Sequence, residues 1–363
     1  MGLIRTLLAI SVVIAHSSSV FGIDLVGGQI AVQAFYIISG FYMSLILNEK
    51  YIGANGSYKL FISNRFLRLF PIYWVVLILT VLTSYGIYEF TGGEHSGMLA
   101  SYIEHWDHLG NGSFIFLVFT NLGVFLQDML LFLGLDLQTG SLFFTDSFIN
   151  TEPKVYKFLM IPQGWTIGIE LMFYLIAPFL VRNKLPIVLM LIALSLGLRL
   201  LLYYGADLTY DPWLYRFFPT ELVFFLFGNI SYKMHVKYKK NKATKNLGIG
   251  GLILILLMTF TFKFVPYNWV MFAYFTLFFL AIPFVFELSK SWKWDRWIGE
   301  LSYPIYISHM LVVIVVSQLS LPTYGGFGFT VIAITLVLAV ILNKFVAERI
   351  EVIRQKRVQL GEK

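Results

Sequence analysis

Apolar segments of about 20 residues recur along the whole sequence, and this feature restricts the fold more than any other. A helix of that length spans about 30 Å, which is the thickness of the hydrocarbon core of a bilayer. The sequence therefore predicts an all-α fold, a polytopic membrane bundle of about ten transmembrane helices. The predicted spans are residues 3–23, 29–47, 69–88, 163–182, 185–204, 213–233, 247–264, 268–288, 302–320 and 327–347.

Composition supports the same class. Only 13% of the 363 residues are charged and 58% are hydrophobic, whereas a soluble domain carries about 25% charged residues. We predict a single transmembrane domain over residues 1–348 and a basic cytoplasmic tail over 349–363. Because no small-residue cleavage site follows residues 3–23, we interpret them as a retained helix and not as a signal peptide. The sequence contains no cysteine, which excludes disulfides and thiol catalysis.

An eleventh apolar segment, residues 113–134, is interrupted by polar residues. Basic residues at positions 50–68 place the loop after the second span in the cytoplasm. If residues 113–134 crossed the membrane, the basic runs 232–245 and 349–357 would lie outside. We therefore predict an outer re-entrant or interfacial helix there, with both termini cytoplasmic. The net charge of +7 reflects this orientation signal, so no nucleic-acid partner is expected.

Two ionisable residues lie in the first predicted span. Arg5 is near its inner end, and His16 lies eleven residues further, about 16 Å along the axis and in the outer half. Ionisable side chains at that depth are costly and are functional candidates by default. A hydrogen bond to a neighbouring helix would equally explain a neutral His16, so both interpretations stay open.

Glu170, in the span 163–182, is predicted at a depth comparable to that of His16. A carboxylate beside an imidazole can hold its tautomer and stabilise the imidazolium, as a general base requires. The alternative is a buried structural pair. Arg199 and Glu221 lie at matching depths in the next two spans and are predicted first to neutralise each other.

Arg65 and Arg68 are three residues apart, hence on one helical face at the inner boundary. Two guanidinium groups there can hold phosphates through bidentate hydrogen bonds. Anchoring to inner headgroups is the simpler alternative, and it is favoured without other evidence. Ser39 and Gly40 form a small-residue notch in the second span, which admits a neighbouring helix or a slender ligand. His309 is predicted nearer the inner half, in contact with a ligand or only with a backbone carbonyl.

Five short segments, in order along the chain, resemble the acyltransferase family 3 membrane proteins, which O-acylate sugars and other acceptors. Arg5 and His16 match the R-x10-H motif of that family. One departure is Gln33, where many members carry Asp; if that Asp supports the histidine elsewhere, Glu170 or Asp24 would replace it here. The other matching segments are FYIISGFYM (35–43), RFLRLFPIYW (65–74), GWTIGIELMFYLIAPFL (164–180) and LSYPIYISHMLV (301–312).

For the donor, the resemblance implies an acyl-CoA, most simply acetyl-CoA, bound from the cytoplasm. Arg65 and Arg68, assisted by Arg5, would hold its phosphates. The pantetheine arm would pass Ser39 and Gly40 on its way to the middle of the membrane. No metal is expected.

For the acceptor, the resemblance implies a hydroxyl group of a saccharide or lipid-linked glycan arriving from outside. His16 would be the general base, or a covalent acyl carrier, with Glu170 orienting it. The setting would be the lipid of a bacterial inner membrane. Further candidates for substrate contact or support are Trp165, Tyr42, His309, Arg199 and Glu221.

Two other classes of function also agree with the sequence. A transporter or glycolipid flippase would also carry polar residues inside its bundle, although the sequence lacks an inverted repeat or a pair of broken half-helices. A membrane scaffold or sensor would show no turnover.

Overall fold

The computed structural model describes residues 1–52, 56–265 and 269–360. Over these residues the chain is mainly helical, with one small antiparallel sheet of β1 (Leu133–Leu135) and β2 (Leu142–Phe144). The α-helices are α1 (Gly2–His16), α2 (Gly28–Glu49), α3 (Tyr58–Phe90), α4 (Ala100–His105), α5 (Asn111–Gly123), α6 (Trp165–Leu180), α7 (Leu185–Leu200), α8 (Phe218–Tyr238), α9 (Thr244–Thr261), α10 (Trp269–Ser289), α11 (Lys293–Gln318), α12 (Phe327–Leu342) and α13 (Glu348–Leu360).

The all-α membrane class is confirmed, since eight described helical segments are long and apolar enough to cross a bilayer. Two predicted spans are not among the eight. α1 has only 15 residues, and α8 carries Glu221, Asn229 and Lys233, which lower its hydropathy. Both pack inside the bundle, α1 against α11 and α8 against α2. Residue 268, the first of the predicted span 268–288, lies outside the described residues.

The loops after α2, α6 and α8 lie at the same end of the bundle. Arg182 donates a hydrogen bond to the backbone carbonyl of Leu47 (2.7 Å), and the Lys239 ammonium lies 3.8 Å from the Glu49 carboxylate. We call this the basic end and the opposite one the far end. The three loops therefore share one end, as in the predicted topology, in which residues 113–134 do not cross the membrane.

The first predicted span, 3–23, is wrong over its last seven residues, because α1 ends at His16. Beyond it, Ser17 Oγ donates to the carbonyl of Val13 (2.8 Å) and Ser18 Oγ accepts from the Gly328 N–H (2.9 Å). Serine hydroxyls compete with the helical hydrogen bonds of the backbone, which favours ending a helix. His16 is thus the last helical residue and is not enclosed by a longer span.

Asp295 fixes the start of α1 against the start of α11. Its Oδ2 accepts from the α-amino group of Met1 (2.6 Å) and from the Gly2 N–H (2.7 Å), and its Oδ1 accepts from the Leu3 N–H (2.8 Å). Donors that a helix start leaves unpaired are thereby satisfied. A Cβ atom at Gly2 would lie 1.5 Å from the Asp295 carbonyl oxygen, so only glycine permits this backbone contact.

Two predicted spans begin too late. α3 begins at Tyr58 rather than at 69, and α11 begins at Lys293 rather than at 302. Both helices start with polar turns, which lower the hydropathy without ending the helix. Arg65 and Arg68 consequently lie within α3, two to three turns from its start.

The segment 113–134 does not form one helix, because α5 ends at Gly123. The Asn121 side chain accepts from the Met160 N–H (2.8 Å), and the Asn121 carbonyl accepts from the Tyr73 hydroxyl (2.6 Å). Tyr73 lies in the middle of α3, so α5 descends partway along the bundle before the chain returns. This contact favours the re-entrant form over the interfacial one.

The notch in α2 is occupied by α8. A Cβ atom at Gly40 would lie 1.9 Å from the Phe225 carbonyl oxygen, and one at Gly228 would lie 2.1 Å from that of Ile37. Two helix backbones touch here, as small residues permit. Gly40 therefore holds a neighbouring helix, the first of its two predicted occupants, and leaves no room there for a ligand.

The predicted basic tail is helical and packs on α3. Arg354 Nε donates to the Asn64 carbonyl (3.0 Å), and Arg357 Nη2 donates to Ser63 Oγ (2.8 Å). A π-helical turn, Asn343–Ala347, joins α12 to α13. Residues 361–363 of the predicted tail lie outside the described residues.

We expect Asp128→Asn to stabilise the protein more at pH 8 than at pH 5. Asp128 follows α5, is only 3% exposed, and its Oδ1 has no hydrogen-bond partner among the described residues. Burial raises the pKa of this carboxyl from 3.8 to about 7. The folded state then holds a proton that the unfolded state has lost, so wild-type stability falls as pH rises through this window. Thermal unfolding in detergent should show a gain of a few degrees at pH 8.

Asp136→Asn is the control, because the Gln138 N–H lowers the pKa of that carboxyl and the sign is reversed. A gain for Asp128→Asn that is the same at both pH values would contradict the prediction.

Candidate active site

Two histidine rings meet where α1 ends beside α11. His16 Nδ1 lies 3.2 Å from His309 Nε2, and the ring centroids are 5.0 Å apart. His309 is completely buried, whereas His16 is exposed. The prediction that His309 lies nearer the inner half is wrong. Since α11 starts at Lys293, His309 lies sixteen residues along it, about 24 Å, and level with the end of α1.

The backbone carbonyls next to the two rings indicate which ring nitrogens carry a hydrogen. His309 Nδ1 lies 2.6 Å from the Tyr306 carbonyl oxygen, and His16 Nδ1 lies 3.0 Å from that of Val12. A carbonyl oxygen can only accept, so each Nδ1 carries the hydrogen. His309 Nε2 then carries a lone pair, and the single Nδ1 hydrogen of His16 is shared between the Val12 carbonyl oxygen and this lone pair. The remaining lone pair is on His16 Nε2, which has no hydrogen-bond partner in the described part of the chain.

Glu170 does not orient His16, contrary to the prediction. Its carboxylate accepts from Ser39 Oγ (2.6 Å) and from the Tyr174 hydroxyl, whereas the Nδ1 of His16 faces His309. Ser39 belongs to α2, and Tyr174 lies on the next turn of α6. Glu170 is thus a member of a separate polar group, and the buried neighbour of His16 is an imidazole.

Ser39, Glu170 and Tyr174, which form this polar group, line a cavity of 530 Å³. It extends from Lys50, in the loop after α2 at the basic end, to Tyr36, Thr166 and Tyr306. We call these two parts its mouth and its inner end. Along α11, Gly299 at the mouth and Tyr306 at the inner end are seven residues apart, which is about 10 Å. The ionisable side chains that line it are Arg5, Lys50, Arg65, Arg68, Glu170, Lys290, Asp295, Arg296, Glu300, Glu351 and Arg354.

Seven of those side chains are basic and four are acidic. Arg65 is only 5% exposed, and its Nε has no hydrogen-bond partner among the residues described. Arg68 is exposed, and the Arg5 guanidinium lies 6.0 Å from the centroid of the Tyr42 ring. A buried guanidinium with unused donors is costly unless an acceptor arrives. The cavity is therefore suited to a polyanionic ligand.

Tyr306 separates the cavity from the histidine pair. Its hydroxyl lies 2.8 Å from Thr166 Oγ1, and its ring centroid lies 5.9 Å from that of His309. Next to it on the cavity wall, Tyr36 stacks on Phe225 at 4.6 Å between centroids. The hydroxyl of Tyr36 is buried and has no partner among the described side chains and carbonyls.

The remaining predicted site residues lie away from the cavity wall. Arg199 Nη2 donates to Glu221 Oε1 at 2.7 Å, so the predicted ion pair is present, and Gln33 Nε2 donates to the same oxygen at 3.0 Å. Trp165 lies under the Arg216 guanidinium, 4.4 Å from its ring centroid. Across residues 1–52, 56–265 and 269–360, no group of three or more His, Asp or Glu side chains could hold a metal ion.

A family model described as an acyltransferase domain matches residues 1–344. The chain belongs to acyltransferase family 3. No curated protein and no solved structure matches it. This acyltransferase is thus an integral membrane enzyme that uses an acyl donor. Glu351 and Arg354, which line the cavity, lie beyond the matched region.

Sequence reasoning missed several residues of the acyltransferase site. Tyr306 is three residues before His309 in a segment already recognised, and that spacing places both on one helical face. Tyr306 could therefore have been predicted as a site residue from its spacing to His309. Tyr36 looked like one more aromatic residue of an apolar helix, and Arg354 looked like one charge of a basic tail.

We expect His309→Leu to reduce kcat by about 100-fold and to leave KM for the donor unchanged. Leucine cannot accept the Nδ1 hydrogen of His16, so only the Val12 carbonyl still orients the ring. The cavity ends at Tyr306 and does not include His309. His309→Gln offers an amide oxygen to that hydrogen and should recover part of the loss. Steady-state acyl transfer by the purified variants measures both constants. Equal losses in the two variants, or a raised donor KM, would contradict the positioning role.

Proposed function

We propose that this acyltransferase moves an acyl group, acetyl in the simplest case, from acyl-CoA to a hydroxyl group of a saccharide or lipid-linked glycan. The observation that carries the proposal is the position of the His16–His309 pair, one aromatic ring beyond the inner end of a cavity with a basic mouth. A base between a donor on one side and an alcohol on the other suits transfer through a membrane.

The basic end would face the cytoplasm of a bacterium, following the positive-inside rule. Acyl-CoA carries several phosphate charges, and Arg65, Arg68 and Arg5 at the cavity mouth would bind them. The acyl group would then reach Tyr306 and Thr166. The acceptor would arrive from the far end, where His16 is exposed.

His16 Nε2 would take the proton of the attacking hydroxyl group. As the new C–O bond forms at the thioester carbonyl, the C–S bond breaks, and the departing thiolate recovers the proton. His16 ends the reaction neutral. His309 accepts from the Nδ1 of the same ring throughout and keeps it oriented. Glu170 would act elsewhere, by holding Ser39 and Tyr174 in the wall of the donor cavity.

Tyr36 would donate a hydrogen bond to the carbonyl oxygen of the acyl group as negative charge develops on it. Its hydroxyl is buried on the cavity wall and lacks an acceptor among the residues described. Such a donor is most useful when it is fixed before the reaction, and the stack on Phe225 holds the ring in place.

We expect His16→Ala to lower acyl transfer at least 100-fold, since it removes the base. Donor affinity should be unchanged, because His16 does not line the cavity. Proteoliposomes supplied with labelled acetyl-CoA on the basic side and a saccharide acceptor on the other measure the transfer. His95→Ala, at an exposed loop histidine, is the control. Wild-type transfer by His16→Ala at equal expression would refute the proposed mechanism.

Tyr36→Phe should reduce kcat about 10- to 100-fold, because it removes only the proposed oxyanion donor. The melting temperature should not fall, since the lost hydroxyl is buried and unpaired. Tyr274→Phe is the matched control: its hydroxyl lies 3.0 Å from Thr259 Oγ1, so that variant should lose stability and keep its activity. Unchanged kcat in Tyr36→Phe would remove Tyr36 from the reaction.

A further inference from the structure

The helix after the family-matched region forms part of the cavity mouth. Glu351 and Arg354 on α13 line the cavity, and Arg354 is only 8% exposed. Arg354 Nε donates to the Asn64 carbonyl on α3 at 3.0 Å, and its Nη1 contacts the Glu351 carboxylate. These contacts hold the guanidinium in one orientation. Its Nη2 donates no hydrogen bond to any residue that the structure describes.

Three guanidinium groups repel one another at this place. Arg354 is subject to the charges of both Arg65 and Arg68, and Glu351 is its carboxylate partner. Arg65 also has an unpartnered Nε. Like charges gathered in a partly buried site are unfavourable unless a ligand of opposite charge joins them. Arg354 contributes to this cost although it belongs to a different helix.

We propose that Arg354 is a further binding residue for the donor and contacts a phosphate group of acyl-CoA together with Arg65 and Arg68. The inference rests on the proposed function, and it adds α13 to the donor site. An arginine fork suits phosphate oxygens, because two parallel N–H groups bind them in one plane. An anionic lipid headgroup offers the same phosphate chemistry, but the cavity position of Arg354 favours the donor.

Arg357 provides a matched control on the same helix. It also bonds to α3, through Nη2 and Ser63 Oγ at 2.8 Å, but it does not line the donor cavity. Arg354→Gln and Arg357→Gln therefore remove the same charge and a comparable α3 contact. Only the first removes a guanidinium from the mouth.

The experiment measures binding of acetyl-CoA and of acetyl-pantetheine, which has no phosphate, to the full-length protein in detergent. Arg354→Gln should weaken acetyl-CoA binding about 10- to 100-fold and change acetyl-pantetheine binding less than about twofold. Arg357→Gln should leave both unchanged. Arg354→Lys, which keeps the charge and loses the fork, should give an intermediate affinity for acetyl-CoA.

Several results would overturn the inference. The Arg354→Gln affinity for acetyl-CoA could equal that of Arg357→Gln, or acetyl-pantetheine binding could fall by the same factor, which would indicate a structural role. An effect of Arg354→Gln seen only when anionic phospholipid is added would assign the group to a lipid headgroup. If wild type and Arg65→Gln/Arg68→Gln bind acetyl-CoA equally, the proposed donor site itself fails, which is a separate outcome.

Discussion

The joint between α1 and α11 sets the register on which the acyltransferase site depends. Asp295 binds the first backbone donors of α1, and the glycine at position 2 lets the two backbones touch. From this contact both helices run in the same direction with the same rise per residue. His16 and His309 therefore arrive at one level. A side chain at Gly2 would displace α1 and separate the two rings.

The polar residues of the bundle are divided between two groups with different chemistry. Beside His16, a second imidazole takes the place that a carboxylate was expected to fill, and Glu170 belongs instead to the wall of the cavity. Tyr306 lies between the groups. This separation keeps the charged side chains at the cavity mouth apart from the histidine pair.

Much of the fold could be predicted from the sequence, because hydropathy and basic loops report directly on the bilayer. The predictions that failed concerned positions whose structure depends on local hydrogen bonds or on distant packing. Serines ended α1 before its apolar run ended, and polar turns concealed the start of α11, which led to the wrong depth for His309. Of the site, the sequence predicted Arg5, Arg65 and Arg68 as phosphate-binding residues, and all three line the cavity. The packing of α13 on α3 had no local signal, since its arginines resemble any basic cytoplasmic segment.

The two rings of the pair are separated by 293 positions in the chain. During synthesis, α1 enters the membrane early, while its partner emerges only after the seven long helices α2, α3 and α6–α10 have been made. Until then the imidazole at position 16 has only the carbonyl one turn before it as a neighbour. The histidine pair can therefore form only once α11 has been made and inserted.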